Sequence, residues 1–334
     1  MTGFILKRLA VTLVLLVAVS MVTFVLTSLA PGDPARMAAG RMAPESKVIE
    51  LRAELGLDKP LPVRYWRYVK RLAQLDLGVS YLTNRSVGGD LARLAPPTLQ
   101  LVLLAMLLTS ILGVAFGTLS AHLAGSPYDR ASTLVASATT AIPVFWAAIV
   151  LQVVFFYHLG WLPQGGQLPP GTAAPDWTGF LLLDVLLTNR LDLFVPAIQH
   201  LILPVLALAL VHIGVIARVT RQSLLHEMSR PYAMVAKAKG LSTWQITFTH
   251  TLRNALNPVI SLIGIQFGYA IVGAVLVESI FDWPGLGQYS YEAISNLDYP
   301  AILGVTLFTA FAFAMVNLMV DIVQGILDPR TRVN

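Results

Sequence analysis

Six runs of apolar residues, near Leu9–Leu29, Thr98–Ala121, Ala131–Tyr157, Pro196–Ala217, Val259–Ile280 and Ala301–Leu327, alternate with polar stretches along the chain. About 20 apolar residues in helical form cross a hydrocarbon layer of roughly 30 Å, so each run predicts one membrane span. The pattern predicts an all-α integral membrane protein with six transmembrane helices. It divides the chain into an N-terminal end with the first span (1–30), an extracytoplasmic domain (31–97) and a core holding the other five spans (98–334). Pro143 in the third run and Pro204 in the fourth predict kinks, which open space for a cavity.

Between the fourth and fifth runs the stretch Arg218–Pro258 is polar, basic and helix-prone. It cannot lie in a bilayer and is expected at a membrane face, with the pattern of a docking site for another protein. A helix is predicted over Tyr232–Lys239. Ala233, Ala236 and Ala238 are small enough for close approach of a partner, Lys237 and Lys239 flank the contact, and Gly240, ahead of Leu241 and Ser242, can end the helix in a left-handed turn. Pro231 suits the first helical turn. An ordinary amphipathic helix lying on lipid is the plainer reading.

The segment 31–97 has its own helical pattern. Pro44–Leu55 repeats apolar residues at Val48, Leu51 and Leu55 and stops at Gly56. A second helix is predicted after Pro62, carrying Tyr65, Trp66, Tyr68, Val69 and Leu72. Its aromatic residues fit the layer at a membrane interface; stacking on a substrate is the alternative.

Composition agrees with the span pattern: 56% of the residues are hydrophobic and 12% charged, against roughly a quarter charged in soluble domains. Lysine and arginine set the orientation, because they are enriched in short cytoplasmic loops. Arg218–Pro258 holds six bases against Glu227, while Gly160–Val195 and Phe281–Pro300 hold Arg190 against six acids. Both termini are thus expected inside the cell. The basic 31–97 segment falls outside, since long domains cross the membrane largely regardless of charge, and it is not a nucleic-acid footprint. The first run follows Lys7 and Arg8, exceeds a secretory signal in length and meets Pro31 where cleavage would occur; it reads as a retained anchor. The absence of cysteine excludes disulfides, iron–sulfur clusters and thiolate metal sites.

Polar groups inside spans are expensive unless they face a cavity or a partner. Asp321 lies one turn beyond Asn317 in the last span. Either it belongs to a proton relay, or it packs near the inner face against an arginine such as Arg218 or Arg330. Glu278, Gln152 and Gln266 are candidates for a pathway through the membrane; the glutamines serve equally as interhelical hydrogen-bonding groups. Gly113 and Gly117, Gly264 and Gly268, then Gly273 with Ala270 and Ala274, mark faces where helices approach closely. His122, His200 and His212 form no close-spaced ligand set, so no metal site is assigned.

Several fragments together carry a resemblance over nearly the whole chain: Gly32-Asp33-Pro34, Leu55–Pro62, Asp76–Tyr81, Leu159–Pro163, Ala236–Ser242, Leu252–Leu256, Pro284-Gly285-Leu286-Gly287 and Asp328-Pro329-Arg330. In this order they resemble the permease subunits of bacterial ATP-binding-cassette importers for dipeptides, oligopeptides and nickel. The long segment after the first span resembles the first of the two permeases in such systems. The family's broader loop motif begins Glu-Ala-Ala where this chain reads Met234-Val235-Ala236; the peptide-importer branch departs there too.

The resemblance implies a multi-pass protein of the bacterial inner membrane, a non-catalytic half of a peptide conduit working by alternating access among membrane lipid. It implies a heterodimer with a second permease, two ATPase subunits or one fused ATPase chain, and an extracytoplasmic binding protein. The helix and loop Tyr232–Ser242 would dock on the ATPase, and Trp161 with Pro284–Gly287 would meet the binding protein. This chain has no Gly-x-x-x-x-Gly-Lys-Ser/Thr loop, so it is not expected to bind or hydrolyse ATP itself; the resemblance implies no cofactor on this chain, with ATP and magnesium on the partners. Cargo other than peptide, nickel included, stays open, as does an ion-gradient-driven transporter, which would need interrupted spans and membrane-embedded acids in corresponding halves.

Overall fold

The computed structural model describes residues 2–29, 32–40 and 42–327. These residues form helices joined by turns, with a single isolated bridge between Val79 and Ser86. Five helices are long and apolar enough to cross a membrane: α1 (Thr2–Leu29), α5 (Val87–His122), α9 (Phe194–Met228), α12 (Leu252–Ile280, entered from α11, Thr243–Gln245, through a π-helical turn at Ile246–Thr251) and α14 (Tyr299–Leu327).

The third apolar run behaves differently from the single kinked span expected. It splits into α6 (Pro127–Ala141) and α7 (Val144–Leu151, continued by π-helical Gln152–His158), bent by 103°. Ile142 precedes Pro143 and takes an extended conformation, φ −82° and ψ 123°, because the proline ring disfavours a helical residue before it. The described residues therefore hold five spans, or six if this pair counts as one. Pro204, by contrast, lies inside α9 without ending it.

Shorter helices complete the chain: α2 (Pro34–Ala39), α3 (Glu45–Glu54), α4 (Leu61–Leu72), α8 (Leu181–Leu187), α10 (Pro231–Ala238) and α13 (Leu286–Ser295). The two helices expected in the outer segment appear as α3 and α4. Gly56, at φ +65°, closes α3, with Gly56 N–H donating to Ala53 O and Leu57 N–H to Arg52 O, the pattern that glycine supplies at helix ends.

The chain divides into two compact units, residues 1–96 with 285–314, and residues 97–284 with 315–334; α5 and α14 each contribute to both. The first unit is thus larger than the outer domain read from the sequence. Its core gathers Val87, Leu91 and Ala95 with Leu286, Tyr289, Ala293, Ala301 and Val305. Asp298 organises it by accepting hydrogen bonds from Ser80 Oγ (2.5 Å), Leu82 N–H (3.1 Å) and Ala301 N–H (3.3 Å), the last at the start of α14. The fully buried Val48 faces α3 inward, and Tyr65 and Tyr68 of α4 pack their rings against Phe24 of α1.

The second unit is built around α9, the most buried of the long helices. Leu101, Val102 and Ala105 of α5, Ala207, Leu208 and Ile216 of α9, and Val259, Phe267, Ala270 and Ala274 of α12 form its centre. Small residues permit this packing. A Cβ on Gly117 would lie 2.4 Å from Ala217 O, and one on Gly214 would lie 2.3 Å from Ala136 O.

Candidate functional site

Much of the polar stretch 218–258 is built into the ends of long helices. α9 continues eleven residues past Ala217 to Met228 and the next long helical run starts at Thr243, leaving 229–242 outside the long helices. The extension carries charge because partners are built for it. Arg221 donates to Asp129 through Nε–Oδ1 (2.5 Å) and Nη2–Oδ2 (2.8 Å), and Asp129 also accepts from Ser120 Oγ (2.5 Å) and Gly125 N–H (2.9 Å). Asp129 is 4% exposed and the Arg221 side chain 27%, so this bidentate pair ties α5, α6 and α9 together around a buried carboxylate. Its members are 92 residues apart in sequence.

Within the short loop α10 stands where a helix was expected over Tyr232–Lys239. Arg230 is extended, Pro231 opens the first turn, and Gly240 at φ +83° ends the helix with Gly240 N–H on Lys237 O and Leu241 N–H on Ala236 O. Ser242 then begins α11 with a reciprocal capping box to Gln245. The helix faces differ from the expectation. Ala233 and Ala236 are buried against Ile246 and Leu241 of the same chain, so they are not the face offered to a partner. Met234 and Val235 are 60% and 54% exposed, and with Lys237, Ala238 and Lys239 they form the outward face.

Tyr232 fastens this helix in two directions. Its hydroxyl donates to Glu227 Oε2 at the end of α9 (2.6 Å) and accepts from Asn254 Nδ2 on α12 (3.3 Å). Burial, followed by the bond to Glu227, holds the phenol above its ordinary pKa, so it stays a donor. Beside it, Trp244 packs on Phe248 at 4.0 Å and meets the His122 ring edge-on at 5.3 Å.

The candidate pathway residues do not line one surface. Gln152 donates to Gln164 O (2.9 Å) and Ile280 O (3.4 Å), tying a loop to the end of α12. Gln266 is buried and its Oε1 lies 3.1 Å from His212 Nδ1, while His200 Nδ1 lies 2.8 Å from Gly165 O. Gly264 approaches Val320 and Asn317 of α14, Gly273 approaches Leu208 of α9, and Gly268 is half-buried. Glu278 is fully buried rather than at an exposed span end, and it accepts a 2.5 Å hydrogen bond from Thr98 Oγ1. One open space of this unit lies elsewhere. An apolar cleft of about 480 Å³ opens between α5 and the start of α12, walled by Ile111, Val114, Leu119, Phe248, Leu252 and Leu256. The buried Thr118 Oγ1 at its edge has no hydrogen-bond partner.

Other assignments change as well. Arg218 donates to Thr140 Oγ1 (3.2 Å) and Ala136 O (3.4 Å) on α6, so the expected Asp321–Arg218 ion pair is not formed; Arg330 and the Asp328-Pro329-Arg330 motif lie outside the described residues. Among the residues Pro284–Gly287, expected to meet a binding protein, only Pro284 is exposed, and Leu286 sits in the core of the first unit. Trp161 is 67% exposed beside Phe155. Among the described residues no three His, Asp or Glu side chains are placed to hold a metal ion.

Comparison with known proteins agrees with this architecture. Residues 113–333 match the family described as binding-protein-dependent transport system inner membrane component, and residues 1–102 match its N-terminal companion. The chain is 42% identical over 320 residues (95% of it, 94% of the relative) to the probable D,D-dipeptide transport system permease protein DdpB of Escherichia coli (strain K12). It is 40% identical over 334 residues, 99% of both chains, to the di/tripeptide transport system permease protein DppB of Pseudomonas aeruginosa (strain UCBPP-PA14). A dipeptide transport system permease protein DppB of Alkalihalophilus pseudofirmus is 36% identical over 332 residues, 99% of this chain and 100% of that one. The family is a membrane component of transport systems rather than an enzyme. With both family models matched and full-length relatives above 30% identity, the chain belongs to the inner-membrane permease components of binding-protein-dependent transport systems.

Proposed function

We propose that this chain is one membrane half of an importer of dipeptides or short oligopeptides, driven by partner ATPases that bind α10. The observation that carries the reading is the double attachment of α10: through Tyr232 one short exposed helix is bonded to the ends of both α9 and α12. A partner that grips α10 therefore moves two spans at once. The outward Met234, Val235 and Ala238 fit an apolar groove, and Lys237 and Lys239 fit an acidic rim. The relatives' names support peptide as cargo.

In this reading ATP and magnesium are bound by the ATPases, a second permease completes the conduit, and an extracytoplasmic binding protein delivers cargo near Trp161 and Pro284. Both termini face the cytoplasm. Transport follows because each partner binds one of two conformations better and so shifts their populations.

The chain contains no cysteine, so single cysteines at Met234 or Val235 provide clean probes. Met234→Cys should cross-link to the ATPase in membranes of cells expressing the whole system, Ala236→Cys should not, and uptake of radiolabelled dipeptide should follow ATP supply. Absence of any cross-link, or uptake that follows the proton gradient with ATP depleted, would overturn the assignment.

A further inference from the structure

A small polar hollow in the first unit, about 180 Å³, lies among Thr27 and Ser28 at the end of α1, Asp33 before α2, Arg52 on α3, Arg64 on α4 and Tyr299 opening α14. We propose that it binds the phosphate of a phospholipid headgroup at the membrane surface.

Two groups in the hollow lack the partners their chemistry calls for. The Tyr299 hydroxyl is buried with no hydrogen-bond partner, an arrangement that costs free energy unless a ligand supplies an acceptor. The Arg64 guanidinium is partly buried, 5.9 Å from the centre of the Phe24 ring, and no carboxylate among the described residues pairs with it. The other charges cancel: Arg52 Nη2 donates to Asp33 Oδ2 (2.6 Å), and Asp33 Oδ1 accepts from Ala35 N–H (3.1 Å). One positive charge remains, which matches the single negative charge of a phosphodiester. Guanidinium and phosphate oxygens also suit one another in geometry.

The depth of the hollow points to lipid as the source of the phosphate. α1 is a membrane span with little of its surface buried, and Thr27 and Ser28 are its last residues before Leu29. At 1.5 Å per residue Thr27 lies about 3 Å short of the helix end, where a hydrocarbon core gives way to headgroups. α4 is pinned alongside the last turns of α1, with Tyr65 Oη 2.9 Å from Ser20 Oγ and the Tyr68 ring stacked on Phe24 at 5.5 Å. Trp66 projects from α4 at 68% exposure, as expected of an interfacial ring. Below the hollow, Val22 and Leu26 of α1 are 58% and 63% exposed and offer an apolar flank for the acyl chains.

The test is phospholipid retention by the full transport complex, moved from nanodiscs of phosphatidylethanolamine and phosphatidylglycerol into detergent and weighed by native mass spectrometry. The expected result is one retained phospholipid per copy of this chain. Arg64→Gln should weaken retention about tenfold and Tyr299→Phe by several-fold, as lost charge-assisted and neutral hydrogen bonds do. Arg67→Gln, outside the hollow, should retain it as the wild type does. Arg64→Lys, which keeps the charge, should fall between and serves as the test if Arg64→Gln does not fold. Equal retention in Arg64→Gln and Arg67→Gln would overturn the proposal. So would Arg64-dependent binding of inorganic phosphate to a complex that retains no phospholipid, which would make the hollow a site for soluble anions.

Discussion

Replacing Tyr232 with Phe removes one oxygen atom and both attachments of α10 while leaving its packing intact. A hydrogen bond to a charged acceptor is worth about 1.5–3 kcal/mol when buried, but Tyr232 is 39% exposed, and solvent screening brings the Glu227 bond to about 1 kcal/mol. The 3.3 Å bond from Asn254 adds about 0.5 kcal/mol, at the low end for a neutral pair. The sum, about 1.5 kcal/mol, corresponds to roughly a tenfold shift between seated and released α10. Amide exchange across α10 should accelerate about tenfold in the purified complex, and peptide imported per ATP hydrolysed should fall, because ATPase closure would then move a helix less firmly joined to α9 and α12. Glu227→Gln should give a smaller effect, and the double variant should exceed Tyr232→Phe by less than that effect, since the two changes share one bond. Unchanged exchange in Tyr232→Phe, or fully additive effects, would refute the clamp.

Arg221→Met should destabilise the complex by about 3–5 kcal/mol in thermal unfolding, because it leaves the buried Asp129 carboxylate with only Ser120 and Gly125 as partners; adding Asp129→Asn should recover part of the loss. Gly117→Leu should abolish stable membrane assembly, since even its Cβ would lie 2.4 Å from Ala217 O, whereas Gly88→Ala, which meets nothing within 4 Å, should be neutral or slightly stabilising by the same measurement. Burial of Asp184 works against its charge, but hydrogen bonds from Thr178, Trp177 and Gly179 outweigh that and hold its pKa below the ordinary value. A depressed carboxylate stabilises above its unfolded pKa of about 4 and loses that contribution as pH falls through the folded value. Proteolysis of the 165–190 loop should therefore accelerate below pH about 4 in wild type, and Asp184→Asn should show no such dependence.

Local rules made some of these features readable and others not. Gly240 and Gly56 were legible because a positive φ at a helix end is a demand on one residue, satisfied within a few bonds of chain. The break at Ile142–Pro143 was legible as a kink; its 103° size was not, because α6 is also set by its contact with Gly214 on α9. The faces of α10 were misread for a similar reason. Small residues at Ala233 and Ala236 signal close approach but do not name the neighbour, and here it is Ile246 of the same chain. Asp129 with Arg221, Thr98 with Glu278 and Ser80 with Asp298 are separated by 92, 180 and 218 residues. Each reads in sequence as an unremarkable polar residue, and nothing in spacing identifies its partner. Asp321 and Arg218 show the converse: two charges near span ends suggested a pair, while Arg218 is engaged by α6.

The relative strength of these ties determines where the proposed machine can yield. Breaking the buried pair of α6 and α9 costs about 3–5 kcal/mol, and α5 is held to α9 by glycine contacts too close to open gradually. The α10 clamp, at about 1.5 kcal/mol, is the weaker joint, so a load applied to α10 moves α9 with α5 and α6 as one body before it can separate them. α12 responds differently because, apart from the long 3.3 Å bond between Tyr232 and Asn254, its connection to α10 runs through the π-helical turn Ile246–Thr251, where Thr251 Oγ1 spans back to Ile246 O at 3.1 Å. Wide turns of this kind are where helices bend. Motion of α10 would thus be carried rigidly into α9 and with some compliance into α12, opening or closing the apolar cleft between α5 and the start of α12. Restoring regular helix by deleting one residue within 246–251 should stiffen that route and reduce transport, with Tyr232 still in place.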